Sequence, residues 1–202
     1  MMLPDLLELE QADNNEPFLH HRLQTICGSV NPITVAQVAY AAQRGFAHQQ
    51  LEPEQKLGRG YWQTPEGEEM IGKLYRMLEE NPHRILDTND PGTNQKTADY
   101  AGKLGMDIQD IRRAVSDTIG YLVSRLFSHE GVGTLLITGG DTLLQCMDYM
   151  GVHEIEPLGE MDAGVVLSRF TYHGITRYVI SKSGGFGAEN LLTELAAALK
   201  DA

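Results

Sequence analysis

The sequence predicts an α/β fold: three layers, with a mostly parallel sheet between helices on both faces. Two observations carry that reading. Short apolar runs alternate with longer stretches of helical periodicity along most of the chain, and several junctions between them are rich in glycine. Parallel strands need crossover connections, and right-handed crossovers lay the helices on the two faces of the sheet. A third observation is size, because 202 residues suffice for one domain with a full core.

Residues 1–21 read as an N-terminal arm, with a short helix expected around Leu6–Leu9. Residues 22–202 read as the domain proper. The apolar run "LQTIC" is a strand closed by Gly28-Ser29, and Val35, Val38, Ala39 and Ala42 then repeat at helical spacing up to Gly45. "FAHQQLE" alternates as a strand does, and Pro53 through Gly60 reads as a loop. Thr64, Pro65 and the acidic residues after them form a helix start, which Asn81-Pro82 ends. "HRILDTND" is a short strand ending in polar residues. Ile108, Ile111, Val115, Ile119, Leu122 and Leu126 then give the strongest amphipathic stripe in the chain. "VGTLLITGG" is the continuous apolar run of a strand buried on both faces, with the helix "DTLLQCMDYMG" after it. "VHEIEPLG", "AGVVLSRF" and "ITRYVISK" are strand-like, and Leu191, Leu192, Leu195 and Leu199 make the last helical face.

Composition narrows the function classes. A formal net charge of -12 repels nucleic acid and anionic membrane surfaces, and no cluster of lysine and arginine offsets it. No apolar run reaches the length of a membrane span, and the acidic N-terminus lacks the features of a signal peptide, so a cytoplasmic protein is expected. Cys27 and Cys146 read as reduced core residues, and the seven histidines show no zinc-binding spacing.

Three junctions share an unusual composition: "CGSVNPIT", "TGGDT" and "KSGGFG". Strands of a parallel sheet end at one edge, where open α/β sheets bind ligands in the crevice between loops. Helix N-termini there offer free N–H groups and partial positive charge, and glycine removes the Cβ that keeps an anion away. Each junction also has a plain structural reading. Gly28-Ser29 can be a turn with Asn31 or Thr34 as a cap, Asp141 or Thr142 can cap the helix after Gly139-Gly140, and Gly184, Gly185 and Gly187 can serve a sharp reversal. Taken together the three point to a ligand site, with a phosphate-bearing ligand preferred. No G-x-x-x-x-G-K-[ST], dinucleotide fingerprint or G-x-S-x-G elbow accompanies them. Asp141 beside phosphates requires Mg²⁺, ribose hydroxyls or backbone N–H groups as its partners. Lys182 offers a point charge to phosphate or is an exposed strand end.

In order along the chain, "CGSVNPITVAQV", "LLITGGDT" with its helix and "MGV", "EMDAGVVL" and "KSGGFG" resemble the C-terminal nucleotide-binding domain of the four-carbon acid sugar kinases, the tetronate kinase family. The resemblance runs from about Leu23 to the C-terminus and implies a Rossmann-like domain. It implies that Ser29, Gly139, Gly140, Asp141, Thr142 and Gly184 contact ATP, with Gly185 and Lys182 as weaker carry-overs, and that Mg²⁺ bridges phosphate oxygens. It further implies phosphoryl transfer to a threonate- or erythronate-type acid held by a separate sugar-binding domain, in cis or in trans. That half and its aspartate-rich motif have no counterpart in this sequence, which leaves the general base unassigned and activity of this chain alone unexpected. "AGVVL" stands where the family usually shows "PGVPL", and "LEPEQKLGRGYWQTPEGEEM" matches no family segment. The alternatives are a non-catalytic nucleotide-binding regulatory domain and a structural assembly domain, with a homo-oligomer possible in either case.

Overall fold

In the computed structural model, residues 21–129 and 132–199 are described. The expected arm at residues 1–21, with its helix around Leu6–Leu9, lies almost wholly outside them. The strands are β1 (Leu23–Cys27), β2 (Ala47–Gln50), β3 (His83–Asp87), β4 (Thr134–Thr138), β5 (Glu156–Asp162), β6 (Val165–Tyr172) and β7 (Ile175–Lys182). The helices are α1 (Pro32–Ala42), α2 (Pro53–Leu57), α3 (Pro65–Glu80), α4 (Gln95–Lys103), α5 (Ile108–Phe127), α6 (Gly140–Met150) and α7 (Leu191–Ala198), with a 3-10 turn at Tyr61–Gln63. Among the described residues, the strands make one sheet in the order β2-β3-β1-β4-β7-β6-β5.

The expected three-layer α/β architecture is present. Strands β2, β3, β1, β4 and β7 pair in parallel. Successive side chains on these strands point to opposite faces and feed two cores. On one face Ile26, Leu86, Leu135 and Ile137 pack against α3, α5 and α6 through residues such as Leu74, Leu122 and Met147. On the other, Leu23, Ile85, Leu136 and Ile180 pack against Val38 and Ala41 of α1 and Leu191, Leu192 and Leu195 of α7. Both cysteines are free and buried, and burial pushes both thiols well above their usual range.

Three details depart from the sequence reading. Strands β5 and β6 run antiparallel, as do β6 and β7, so the last three strands form a meander. The physical cause is two short turns: Gly164 has φ 68°, while His173 and Gly174 have φ 49° and 77°, the left-handed pair that a two-residue hairpin demands. The supposed loop from Pro53 holds α2, because Pro53 occupies the first helical turn and Gln55 Oε1 accepts from the Glu52 N–H at 2.8 Å. Helix α4 was not expected, having few apolar residues to mark a period; its buried contacts are Thr97 and Ala101. Among the described residues no helix is long and apolar enough to cross a membrane.

Helix α5 approaches α6 closely at Gly120, where a Cβ would strike the Tyr149 ring and stand 3.0 Å from the Gln145 carbonyl oxygen. Gly120→Val is therefore expected to destabilise the fold by about 1–3 kcal/mol through overpacking, seen as a lower urea midpoint. Adding Tyr149→Ala should return part of that loss. A wild-type midpoint for Gly120→Val would show that the helices do not meet there.

Candidate functional site

The site begins with register. Asp87 pairs with Cys27, Cys27 with Thr138, and Thr138 with Lys182. Four strands thus end at one height, and the connections at residues 28–31, 88–94, 139 and 183–190 leave the sheet side by side. The three glycine-rich junctions do come together.

The loops touch one another at atomic contact. A Cβ on Gly28 would collide with Thr142 Oγ1, and one on Gly184 would lie 2.5 Å from Ser29 Oγ. Thr34 Oγ1 donates to the Gly184 carbonyl at 2.8 Å, and the Asn89 amide donates to the Ser29 carbonyl at 3.0 Å. The Ser183 N–H donates to the Gly164 carbonyl at 2.9 Å, and Gly164 lies under the Phe186 ring. "EMDAGVVL" and "KSGGFG" thus meet as the hairpin turn and the loop it supports.

The plain capping reading holds for the first junction and fails at the second. Asn31 Oδ1 accepts from the Ile33 N–H at 3.0 Å and caps α1. Helix α6 starts two residues earlier than a cap at Asp141 requires, and three earlier than a cap at Thr142. Its N-cap is Gly139, at φ 94° and without a side-chain hydrogen bond. Thr142 is buried in the first turn against Gly28, while Asp141 is exposed. Gly140 is also exposed, and among the described residues a Cβ built there meets no atom within 4 Å beyond its own helix backbone and chain neighbours. A helix N-terminus without a side-chain cap, opening onto empty space beside a left-handed glycine, suits an anionic group. At the third junction only Gly187 needs a positive φ; Gly184 is required instead by the approach of Ser29.

Lys182 is not an exposed strand end. It is 2% exposed, and Nζ donates to Thr34 Oγ1 at 3.2 Å and to the carbonyl oxygens of Ser183 and Gly184 at 2.9 and 3.4 Å. Burial lowers its pKa below the usual lysine range. Its charge stands behind the Ser183–Gly184 turn, and among the described residues its hydrogen bonds all go to neutral oxygens.

The fourth loop, after β3, escaped the sequence reading. Asp87, Thr88, Asn89 and Asp90 are all buried. Asp87 Oδ1 accepts from the Asn89 N–H and side-chain amide, each at 2.9 Å, and Oδ2 lies 3.2 Å from His48 Nε2. Asp90 accepts from Lys56 Nζ at 2.5 Å and from Thr97 N and Oγ1 at 2.7 and 2.8 Å. Burial opposes ionisation of both carboxylates, but these hydrogen bonds and nearby charges outweigh it and hold both below the usual range. The signal in the sequence was the polar cluster "DTND" at a strand's C-terminal end. Lys56 gave none, because its partner lies 34 residues away. Among the described residues there is no group of three or more His, Cys, Asp or Glu side chains placed to hold a metal.

A family model described as the nucleotide-binding C-terminal domain matches residues 25–192. No curated protein matches the chain. Among solved structures, a Bordetella bronchiseptica protein with a domain of unknown function (DUF1537), a domain-swapped dimer with bound citrate, is 20% identical at a TM-score of 0.64, covering 94% of this chain and 41% of that one. A Haemophilus influenzae DUF1537 protein is 21% identical at a TM-score of 0.66, covering 94% and 44%. A Salmonella typhimurium LT2 protein named as a candidate tRNA synthase is 20% identical at 0.67, covering 89% and 41%. The likeness establishes the shared fold, and this chain spans about two fifths of the length of those proteins.

The buried pair gives a prediction. Lys56→Met strands the Asp90 charge and is expected to cost about 3–5 kcal/mol, with Lys56→Met, Asp90→Asn recovering part of it in urea unfolding. A depressed carboxylate pKa contributes stability that is complete above the unfolded value near ~3.9 and is lost as pH falls through the lower folded value. The wild-type thermal midpoint should therefore drop below about pH 4, and less steeply in Asp90→Asn. An unchanged acid limb in that variant would show that Asp90 is not held ionised by its partners.

Proposed function

The chain belongs to the nucleotide-binding C-terminal domain family, and on that premise we propose that it is the ATP-binding half of a sugar-acid kinase acting on a four-carbon acid. The observation that carries this reading is the convergence of the three glycine loops on one sheet edge, with the uncapped N-terminus of α6 facing open space at Gly140. Backbone N–H groups of Gly140, Asp141 and Thr142 bind phosphate oxygens there, supported by the helix dipole. Ser29 Oγ and the Gly184-Gly185 backbone close the other side. Lys182 works from beneath, holding the Ser183–Gly184 turn in place and adding positive potential without direct contact.

Bound ATP with Mg²⁺ would supply the transferable phosphoryl group and the charge neutralisation it needs. With no preformed metal cluster among the described residues, the fit is to an ion that arrives on the phosphates and keeps waters, with Asp141 as its protein neighbour. The residues of this chain bind and orient, while the acid sugar and the base that activates its hydroxyl belong to a second domain in cis or in trans. Exposed apolar residues around the loops, Val30 at 69%, Phe186 at 48% and Ile33 at 41%, give that domain a surface to cover. Covering the edge excludes water from the transfer, as phosphoryl transfer requires. The domain-swapped Bordetella structure supports self-association as one way of providing the cover.

A second reading, a regulatory domain that binds nucleotide without turnover, is favoured by the state of the buried carboxylates. Asp87 and Asp90 are both tied into hydrogen bonds, so neither is free to act as a base.

Calorimetric titration with ATP, with and without Mg²⁺, tests nucleotide binding. Gly140→Asp fits the fold, since the position is open, yet it sets a carboxylate against the phosphates. It is expected to weaken binding at least about tenfold, ~1.4 kcal/mol, with an unchanged thermal midpoint. Wild-type affinity in Gly140→Asp would remove α6 from the nucleotide site. Turnover after adding a sugar-binding domain separates the kinase half from the regulatory reading.

A further inference from the structure

On the face of the sheet that carries α3, α5 and α6 lies a half-open cleft of about 890 Å³, which shares no residue with the loop edge. Small-molecule pockets run to roughly 300–1,000 Å³, so the space is at the upper end of that range and admits an amino-acid-sized ligand together with water. The 54–64 segment forms one wall, and the end of α4 with residues 104–106, residues 110–121 of α5 and Tyr149 of α6 form the rest.

The lining has a definite chemistry. Tyr61, Tyr100, Tyr121 and Tyr149 face the cleft together with Trp62. Trp62 is fixed, being 4% exposed and donating from Nε1 to the Gln55 carbonyl at 3.0 Å. Of the cations, Lys56 is consumed by Asp90, and Arg113 lies 3.8 Å from Asp110. Arg59 and Glu54 are exposed and line the cleft, and among the described residues neither forms an ion pair. Asp117, also on the wall, receives the Gln145 amide at 3.3 Å and, among the described residues, no cation. Aromatic walls with one unpaired cation and unpaired carboxylates at the rim complement a ring that bears both charges.

We propose that this cleft is a second small-molecule site, for an aromatic zwitterion of the amino-acid type. The tyrosines take the ring, Arg59 the carboxylate, and Glu54 with Asp117 the ammonium group. Opposite charges on the ligand explain why both signs line one aromatic cavity. A simple anion would meet Glu54 and Asp117, and a simple cation would meet Arg59.

Trp62 is the only tryptophan of the sequence and supplies the readout. L-phenylalanine is titrated into the full chain without nucleotide, following tryptophan-selective fluorescence, with calorimetry as an independent signal. A saturable change is expected. Phenethylamine and phenylacetate, each lacking one charge, should bind at least about tenfold more weakly, and Arg59→Ala should lose a similar factor for L-phenylalanine at an unchanged thermal midpoint. Gly140→Asp should leave this binding untouched, so the outcome does not depend on the nucleotide reading. The proposal is overturned by any of three results: no saturable signal by either method up to about 10 mM, equal binding of the singly charged analogues, or wild-type binding in Arg59→Ala.

Discussion

Unslipped parallel pairing across β3, β1, β4 and β7 sets everything else in this protein. It puts Asp87, Cys27, Thr138 and Lys182 in one row, and four loops leave from that row at the same height. A slip of one residue turns a strand's whole set of side chains to the other face. In β7 that would drive the Lys182 ammonium into the packing of Leu135, Val179 and Met147. With both faces of these strands buried, no alternative register keeps the charge near its oxygen partners. The same apolar burial that stabilises the sheet therefore positions the loops.

The architecture was legible because its signals are local. Continuous apolar runs such as "LLIT" and the three- and four-residue spacing along α5 each fit within one element. The meander of β5, β6 and β7 was less visible, since a strand's direction depends on the turn before it and His173-Gly174 is a weak turn signal compared with Asn-Gly. Helix α2 was hidden by its proline and glycine, which mark a helix start as readily as a loop.

The site was half legible for a related reason. Ser29, Gly140 and Gly184 stand out because glycines beside small polar residues are locally unusual. What holds them does not stand out. Asn89 reaches Ser29 across 60 residues, Thr34 reaches Gly184 across 150, and Lys56 reaches Asp90 across 34. Such partners look like ordinary surface residues until the sheet brings them together. Asp141 and Thr142 illustrate the limit most clearly, because either is a good cap by composition. Only the left-handed turn at Gly139 moves the helix start ahead of both.

Lys182 carries a consequence for the motions of the edge. Its ammonium sits under a turn that it also ties down, shielded from solvent by Thr34 and the Ser183–Gly184 backbone. An amine-modifying reagent can reach it only when that turn lifts away from the first turn of α1. Lysines on the surface, such as Lys73, which is 55% exposed, react at all times and serve as an internal reference. The rate at which Lys182 is modified relative to Lys73 is then a clock for local opening. It times the loosening of the edge without unfolding the domain, using a group the protein already contains.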